Sequence, residues 1–156
     1  MVIEEHMKAI EAMLPDLVAE LTVEARNYFD RSWSDKGFTD EVLEKWKPVY
    51  DKSGKEKDRP LVQSGALRRS LRTEVTGSVG VVYTEVAYAQ IHNEGGAQRY
   101  TAAVREHQRK GKTVKAHTRR VERMMPKRQF MGPSKRLDEI MTGIIEERLK
   151  AIFNGV

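Results

Sequence analysis

Apolar residues recur every three or four positions in the first part of the chain, from Ile3 to Tyr28. This is the period of an amphipathic α-helix, sustained over about seven turns. Pro15 falls inside the pattern and predicts either a kink or a fresh helix start. A second broad stripe follows Pro133-Ser134, the expected cap, and consists of Leu137, Ile140, Met141, Ile144, Ile145, Leu149 and Ile152. The chain is therefore predicted to carry two long helices, one towards each end.

Shorter helical patterns lie between these two stripes. Ser64 is expected to act as the N-cap of a helix that places Leu67 and Leu71 on one face. Residues 86–92 return to helical spacing, and the paired glycines at 95 and 96 are expected to end that helix. A further short helix is predicted from the spacing of Phe38, Val42, Leu43 and Trp46.

Two stretches predict antiparallel strands instead. Residues 73–76 and 79–84 are typical of strands, and Gly77-Ser78 between them suits a two-residue hairpin turn. Weak alternation on both sides of Lys110-Gly111 predicts a long exposed hairpin, with residues 97–124 as a projecting arm. We therefore expect a single α+β domain over residues 1–156. Long N- and C-terminal helices would pack on a small antiparallel β-sheet, and an extended basic β-hairpin arm would leave it.

Charge is distributed unevenly along the chain. The net charge is +5, yet residues 97–128 alone hold eleven Lys or Arg against two Glu, a balance of +9, and the remainder balances at −4. Such asymmetry is typical of a surface that meets an acidic partner, either protein or nucleic acid. The candidate binding residues are the arm cations Arg99, Arg105, Arg109, Lys110, Lys112, Lys115, Arg119, Arg120 and Arg123.

Composition narrows the classes of protein further. The 156 residues contain no cysteine, which removes disulfides and thiolate zinc sites and fits a reducing cytoplasm. No apolar run approaches the roughly 20 residues that span a bilayer. The first residues are acidic, at Glu4 and Glu5, so a secretory signal is not expected.

Candidate catalytic and metal-binding groups are few. His92 and Glu94 are residue types of an acid/base pair, but neighbouring positions point in different directions, and His92 also suits a helix C-terminus where positive charge is favourable. His107 and His117 would face each other across the arm, yet two imidazoles without a third ligand are a weak zinc signal. No glycine spacing matches a phosphate-binding loop. We expect no catalytic activity, no metal and no cofactor.

Three segments in this order resemble the phage virion morphogenesis, or tail-completion, family, and more distantly the small head–tail joining proteins of long-tailed phages. They are LVQSGALRRSL (Leu61 to Leu71), VAYAQIHNEGG (Val86 to Gly96) and MPKRQFMGPS (Met125 to Ser134). The resemblance implies that these segments hold the fold, through Gly65, Leu67, Tyr88, His92, Gly95, Gly96, Arg128, Phe130 and Gly132.

The resemblance also implies a function. It indicates a structural protein of the virion tail or neck, assembled in the bacterial cytoplasm as a homo-oligomeric ring with other tail or connector proteins. In that setting the arm would reach a neighbouring subunit. Three other readings of the residues stay open. The arm could bind nucleic acid, with Tyr100 stacking on a base. It could be a solvated face without a partner. His92, His107 and His117 could serve a metal-dependent enzyme.

Overall fold

The structure is a computed structural model that describes residues 2–57, 61 and 64–155. That part of the chain contains four helices and five two-stranded antiparallel sheets, which pair β1 with β2, β3 with β4, β5 with β6, β7 with β10 and β8 with β9. In chain order the elements are α1 (Val2–Asp35), β1 (Gly37–Thr39), β2 (Leu43–Lys45), β3 (Val49–Tyr50), β4 (Glu56–Lys57), α2 (Ala66–Arg69), β5 (Arg72–Thr76), β6 (Val79–Tyr83), α3 (Ala89–Glu94), β7 (Gly96–Val104), β8 (His107–Arg109), β9 (Lys112–Val114), β10 (His117–Met125) and α4 (Lys135–Gly155). The α+β prediction is confirmed, although the strands form separate hairpins and not one sheet.

The two long helices pack antiparallel along each other. Arg148 of α4 forms an ion pair with Glu20 of α1 at 2.7 Å, and further along the pair the rings of Phe153 and His6 lie 4.9 Å apart. Pro15 lies inside α1 without ending it, so no second helix starts there. The helix continues because its later turns are anchored by the core.

The start of α4 follows its prediction. The Ser134 hydroxyl accepts a hydrogen bond from the backbone N–H of Leu137 at 3.1 Å, which is the N-cap arrangement. The predicted apolar stripe is buried or half-buried at every position from Leu137 to Ile152. The stripe is therefore the face with which α4 covers the body.

Aromatic side chains dominate the core. Phe130 is fully buried, and its ring centroid lies 4.9 Å from that of Trp33 on α1. Trp33 in turn meets Trp46 edge to face at 6.0 Å. Phe29 stacks on Phe38 at 6.4 Å. The core thus joins α1 to the β1–β2 hairpin and to the segment that precedes α4.

The predicted helix around residues 38–46 is wrong. β1 and β2 form a tight hairpin there, closed by a hydrogen bond from the backbone N–H of Trp46 to the carbonyl of Lys36 at 2.7 Å. Phe38 and Trp46 are buried, whereas Val42 is 75% exposed at the hairpin turn. A four-residue spacing fits a helical face, but here long-range burial of the two aromatic residues decides the structure.

The helix predicted after Ser64 is shorter than expected. α2 has a single turn, and its N-cap is Gly65 in the left-handed region with φ of 72°, not Ser64. The Ser64 hydroxyl still accepts a hydrogen bond from the backbone N–H of Ala66 at 3.3 Å. Leu67 and Leu71 are both buried, as the pattern predicted.

The β5–β6 hairpin turns at Gly77-Ser78, as predicted. Gly77 has φ of 59° at the first turn position, which a type II′ turn requires. The hairpin lies against α1, and a Cβ placed on Gly80 would collide with the Thr22 side chain. α3 begins at Ala89, later than the predicted start at Val86, and ends as predicted at Gly95.

Candidate interaction surface

A long hairpin leaves the body at Gly96 and returns at Met125. β7 and β10 pair along their whole length, and β8 and β9 continue the ribbon to a turn at Lys110-Gly111. Both turn residues have positive φ, 53° and 74°, as a type I′ turn requires. Fourteen residues run from Gly96 to Arg109. At about 3.3 Å per residue the ribbon is roughly 45 Å long.

We call residues 97–124 the basic arm, and the hairpin predicted from the sequence is present there. None of its residues is buried. Its strands contact each other far more than they contact any other element. Cross-strand pairs such as Tyr100 with Val121 are what hold such a ribbon together. The arm is therefore a free-standing two-stranded structure.

The cations of the basic arm are exposed and mostly unpaired. Arg99 pairs with Glu122 across the ribbon at 3.0 Å. Within the described part of the chain, no carboxylate lies at ion-pair distance from the other eight, Arg105, Arg109, Lys110, Lys112, Lys115, Arg119, Arg120 and Arg123. By the register, Arg119 and Arg123 share a face with Tyr100, and Arg120 lies on the opposite face. Positive charge thus covers both faces.

The two arm histidines do not face each other, contrary to the sequence prediction. His107 is paired with Val114 and His117 with Val104. Each ring instead bonds through Nδ1 to a backbone carbonyl two residues earlier, at 3.0 Å and 2.9 Å. Among the described residues no group of three or more His, Asp or Glu side chains is arranged to hold a metal ion.

The returning chain is fastened to α3 by one amide side chain. Asn93 accepts hydrogen bonds from the backbone N–H groups of Phe130 (2.9 Å) and Met131 (3.2 Å), and donates one to the carbonyl of Met131 (3.1 Å). The backbone N–H of Arg128 donates to the carbonyl of His92 at 2.8 Å. The end of α3 therefore serves as the docking strip for residues 128–131.

The body holds the other side of the same segment. The indole N–H of Trp46 donates to the carbonyl of Gln129 at 2.7 Å, and the Ser32 hydroxyl donates to the carbonyl of Phe130 at 3.3 Å. Gly95 has φ of 74°, and a Cβ there would lie 2.7 Å from the backbone nitrogen of Lys127. The exit and the return of the arm are thus packed backbone against backbone.

The remaining glycines predicted to hold the fold have left-handed backbone. Gly96 has φ of 115° where the arm begins, and Gly132 has φ of 146° just before α4. Tyr88 lies at the start of α3, and its ring meets that of His92 edge to face at 5.8 Å. These residues surround the arm root.

A cleft of about 790 Å³ opens at the root of the basic arm, and we call it the arm-root cleft. It brings together residues from all three segments quoted above, although Val62 and Gln63 of the first lie outside the described residues. The described residues that line it are Val49, Lys57, Leu61, Ser64, Gly65, Ala66, Leu67, Tyr88, His92, Gln98, Arg123, Met125 and Arg128. Body and arm both contribute to its walls.

Positive charge is concentrated in this cleft. Burial, together with the nearby Arg128 and Arg123 guanidinium groups, lowers the pKa of His92 from its usual value. His92 does lie in the last turn of α3, as the sequence predicted, but burial and the two guanidinium groups disfavour its charged form. Burial and then Arg123 also lower the pKa of Arg128.

Comparison with known families identifies this arrangement. The sequence model of the phage virion morphogenesis family matches residues 3–150, nearly the whole chain. The chain belongs to the phage virion morphogenesis family. Neither the comparison with curated proteins nor that with solved structures finds a match. Family membership indicates a structural role in building the phage particle, together with other phage proteins.

The helices of this member of the phage virion morphogenesis family were compared with the requirements for crossing a membrane. Of the helices in the described residues, none has both the length and the apolar character needed to cross a bilayer. The match spans most of both long helices and all residues of the basic arm.

Sequence reasoning missed what Asn93 does in this family member. An Asn just before paired glycines indicates only a turn residue, whereas the Asn93 amide holds backbone 37 residues further along the chain. The residue type was the one clue to this role. An Asn amide both donates and accepts hydrogen bonds, so it can bind the N–H and C=O groups of an extended backbone together. Trp46 was missed in the same way, since its indole N–H binds Gln129.

The lowered pKa of His92 predicts that the free energy of unfolding of this family member decreases at acidic pH. Because the pKa falls below 6.5 in the folded protein, the unfolded chain binds the proton more readily. This contribution to the free energy of unfolding is fully present above pH 6.5 and is lost as the pH falls from there through the folded-state pKa. In urea titrations between pH 5 and 8, His92→Gln should show a flatter pH dependence than the natural protein. His107→Gln, at an exposed arm position, should keep the original dependence, and equal curves for all three proteins would contradict the prediction.

Proposed function

We propose that this protein acts at tail completion or head–tail joining as a non-catalytic homo-oligomer, in which the basic arm of one copy contacts the next. It would be located at the tail or neck of the virion and would assemble in the bacterial cytoplasm. The observation that carries the proposal is the free-standing arm, in which eight cations have no carboxylate partner among the described residues. Family membership supplies the setting, which is virion morphogenesis.

The arm is built in a way that calls for a supporting surface. An isolated two-stranded ribbon is marginally stable in water, because it lacks a second layer on which to bury a face. Tyr100, Val121 and Val104 form a modest apolar row on one face of the ribbon, and Tyr100 remains 47% exposed. A partner that covers this row would stabilise the arm and remove exposed apolar surface from water.

The first half of α1 offers a complementary surface on a second copy. Residues 2–20 carry five carboxylates and one lysine; Glu4 pairs with that lysine and Glu20 with Arg148, and the other carboxylates are Glu5, Glu11 and Asp16. Exposed apolar side chains lie among them, with Ile3 79%, Met7 52% and Leu14 42% exposed. Opposite charges across an interface chiefly fix orientation and speed encounter, and the apolar residues add affinity. The arm and this half-helix therefore match in both charge and polarity.

Such a contact joins two different surfaces of the same chain. A head-to-tail contact of this kind generates a ring when its rotation closes. The proposed assembly is accordingly a cyclic oligomer, in which the basic arm of each subunit contacts α1 of the next subunit. Other tail or connector proteins would then meet a ring and not a single chain.

Shortening the arm should strongly weaken self-association. Val104 and His117 are cross-strand partners, so an Asn-Gly type I′ turn can replace residues 105–116 without disturbing the root. We expect the dissociation constant of the oligomer to rise by about 100-fold or more, roughly 2.8 kcal/mol. Light scattering after size exclusion, over a range of protein concentrations, measures this change.

A matched pair of variants separates arm charge from total charge. Lys110→Gln with Lys112→Gln removes two cations beside Gly111, and Lys52→Gln with Lys55→Gln removes two beside Gly54 in another exposed turn. Only the first pair should weaken association. A natural protein that stays monomeric at high concentration, or a shortened arm that assembles normally, would overturn the proposal.

The nucleic-acid alternative predicts a different result from the same proteins. A labelled 30-base-pair DNA duplex should bind at low salt, with an affinity that falls steeply as salt rises. The short-arm variant should lose that binding. If DNA binding is present and self-association is absent, the arm serves nucleic acid and the assembly proposal fails.

A further inference from the structure

Arg128 is a buried cation that has no counter-ion among the described residues. Its side chain is only 7% exposed, and one terminal nitrogen donates to the carbonyl of Lys47 at 3.2 Å. Its Nε is buried and has no hydrogen-bond partner. Within the described residues no carboxylate lies at ion-pair distance from it. Buried charges are normally paired, because taking an unpaired ion out of water is costly.

Another arginine of the same chain shows the ordinary arrangement. Arg68 donates to the Asp30 carboxylate from Nε at 2.8 Å and from a terminal nitrogen at 2.6 Å. That pair is only partly buried, so it needs its counter-ion less than Arg128 does. Arg128 therefore has the donors for a carboxylate, and the described residues do not supply one.

Arg128 lines the arm-root cleft, where other groups also favour an anion. Arg123 from the arm and Lys57 from β4 add two cations to the same walls. The Nδ1 atom of His92 is buried there without a partner. The cations Arg128, Arg123 and Lys57 repel one another, and a negative charge in the cleft would offset this repulsion. The cleft therefore favours an anionic group.

Most of the remaining lining residues are apolar, with Ser64 and Gln98 as the polar exceptions. This composition argues against a site that follows a nucleic-acid phosphate backbone. Leu61, Leu67, Met125, Val49 and Tyr88 surround the charged groups. A volume of about 790 Å³ is within the usual range for a site that holds a small molecule or a few residues of a peptide. A nucleic-acid backbone needs a row of exposed cations, whereas this cleft has one buried cation with apolar walls.

We propose that the arm-root cleft binds a glutamate or aspartate side chain of a partner protein's extended segment, with apolar neighbours of that residue seated on the cleft walls. Arg128 is the buried anchor, and it takes the carboxylate with paired hydrogen bonds as Arg68 takes Asp30. Arg123 is the rim cation, and it comes from the arm, so an occupied cleft also fixes the arm root against the body. The site is separate from the arm tip and stands whether or not the chain forms rings.

The test uses the full-length protein and two blocked peptides, Ac-Leu-Glu-Leu-Tyr-NH2 and the same peptide with Gln in place of Glu. Binding is followed by the NMR signals of arginine Nε–H groups and of the His92 ring. We expect the Glu peptide to bind about tenfold more tightly than the Gln peptide, as a charge-assisted contact implies. The Arg128 Nε–H signal should shift on binding, and the pKa of His92 should rise.

Variants locate the site. Arg123→Gln should weaken binding of the Glu peptide by about fivefold, whereas Arg119→Gln, further along the same face of the arm, should leave it within about twofold. Arg128→Lys keeps the charge but removes the Nε donor and should abolish binding. If that variant does not fold, the Arg123 and Arg119 pair decides alone. Equal binding of the two peptides, or no binding of either, would overturn the proposal, as would displacement of the Glu peptide by inorganic phosphate or a dT oligonucleotide at similar concentration.

Discussion

Phe130→Ala is expected to lower the free energy of unfolding by about 3–5 kcal/mol, the cost of deleting a large buried aromatic side chain. The ring is fully buried and lies 4.9 Å from Trp33, so its removal leaves a cavity that the core cannot readily fill. Domains are stable by only about 5–15 kcal/mol, so this one change would remove a large share of the total. Urea unfolding followed by fluorescence of Trp33 and Trp46 measures the loss.

Phe153→Ala is the matched control. It makes the same change on α4, where the ring is 53% exposed and contacts His6. Its cost should stay below about 1 kcal/mol, because the ring gives up little buried surface. If the two variants lose equal stability, Phe130 is not the centre of the core, and the returning segment is not what the body packs around.

The largest features of this fold were predictable because their signals are local and long. The stripe of α4 repeats over several turns and begins at a serine cap, and each of its positions faces the body in the structure. The basic arm was predictable for a related reason. Lys110-Gly111 supplies a two-residue turn, and the flanking segments are too polar to enter a core.

The segment from β1 to β4 was not predictable because distant contacts decide it. Trp46 is held in the core by a hydrogen bond to Gln129, 83 residues away, and by its ring contact with Trp33. Neither partner can be read from the spacing of Phe38, Val42 and Trp46. Helical and hairpin geometries both satisfy that spacing, and tertiary packing selects the hairpin.

The arm-root cleft illustrates the same limit at the level of function. The three segments that meet there are recognisable as motifs in the sequence, and Arg128 and His92 lie within them. Their shared electrostatics depend on burial and on the absence of a carboxylate among the described residues nearby, which are three-dimensional properties. The role of Asn93 was likewise hidden, because its partners lie 37 and 38 residues further along the chain.

Asn93→Ala should lower the free energy of unfolding by about 3–4 kcal/mol, since three backbone groups lose their partner and each costs roughly 1 kcal/mol or more when left unsatisfied. The groups are the N–H of Phe130 and both the N–H and C=O of Met131. The loss should appear first at the arm root. Amide hydrogen exchange at residues 128–131 should speed up more than exchange in α1.

Gln90→Ala provides the comparison within the same short helix. Gln90 is exposed and its amide bonds only to the exposed Glu94, so its removal should cost less than about 0.5 kcal/mol. Asn93→Asp adds a second test, because it keeps the acceptor for the two N–H groups but loses the donor to the Met131 carbonyl. It should fall between the natural protein and Asn93→Ala. If Asn93→Ala matches Gln90→Ala in both stability and exchange, the amide does not fasten the returning chain, and the packing of Phe130 alone must hold the arm to the body.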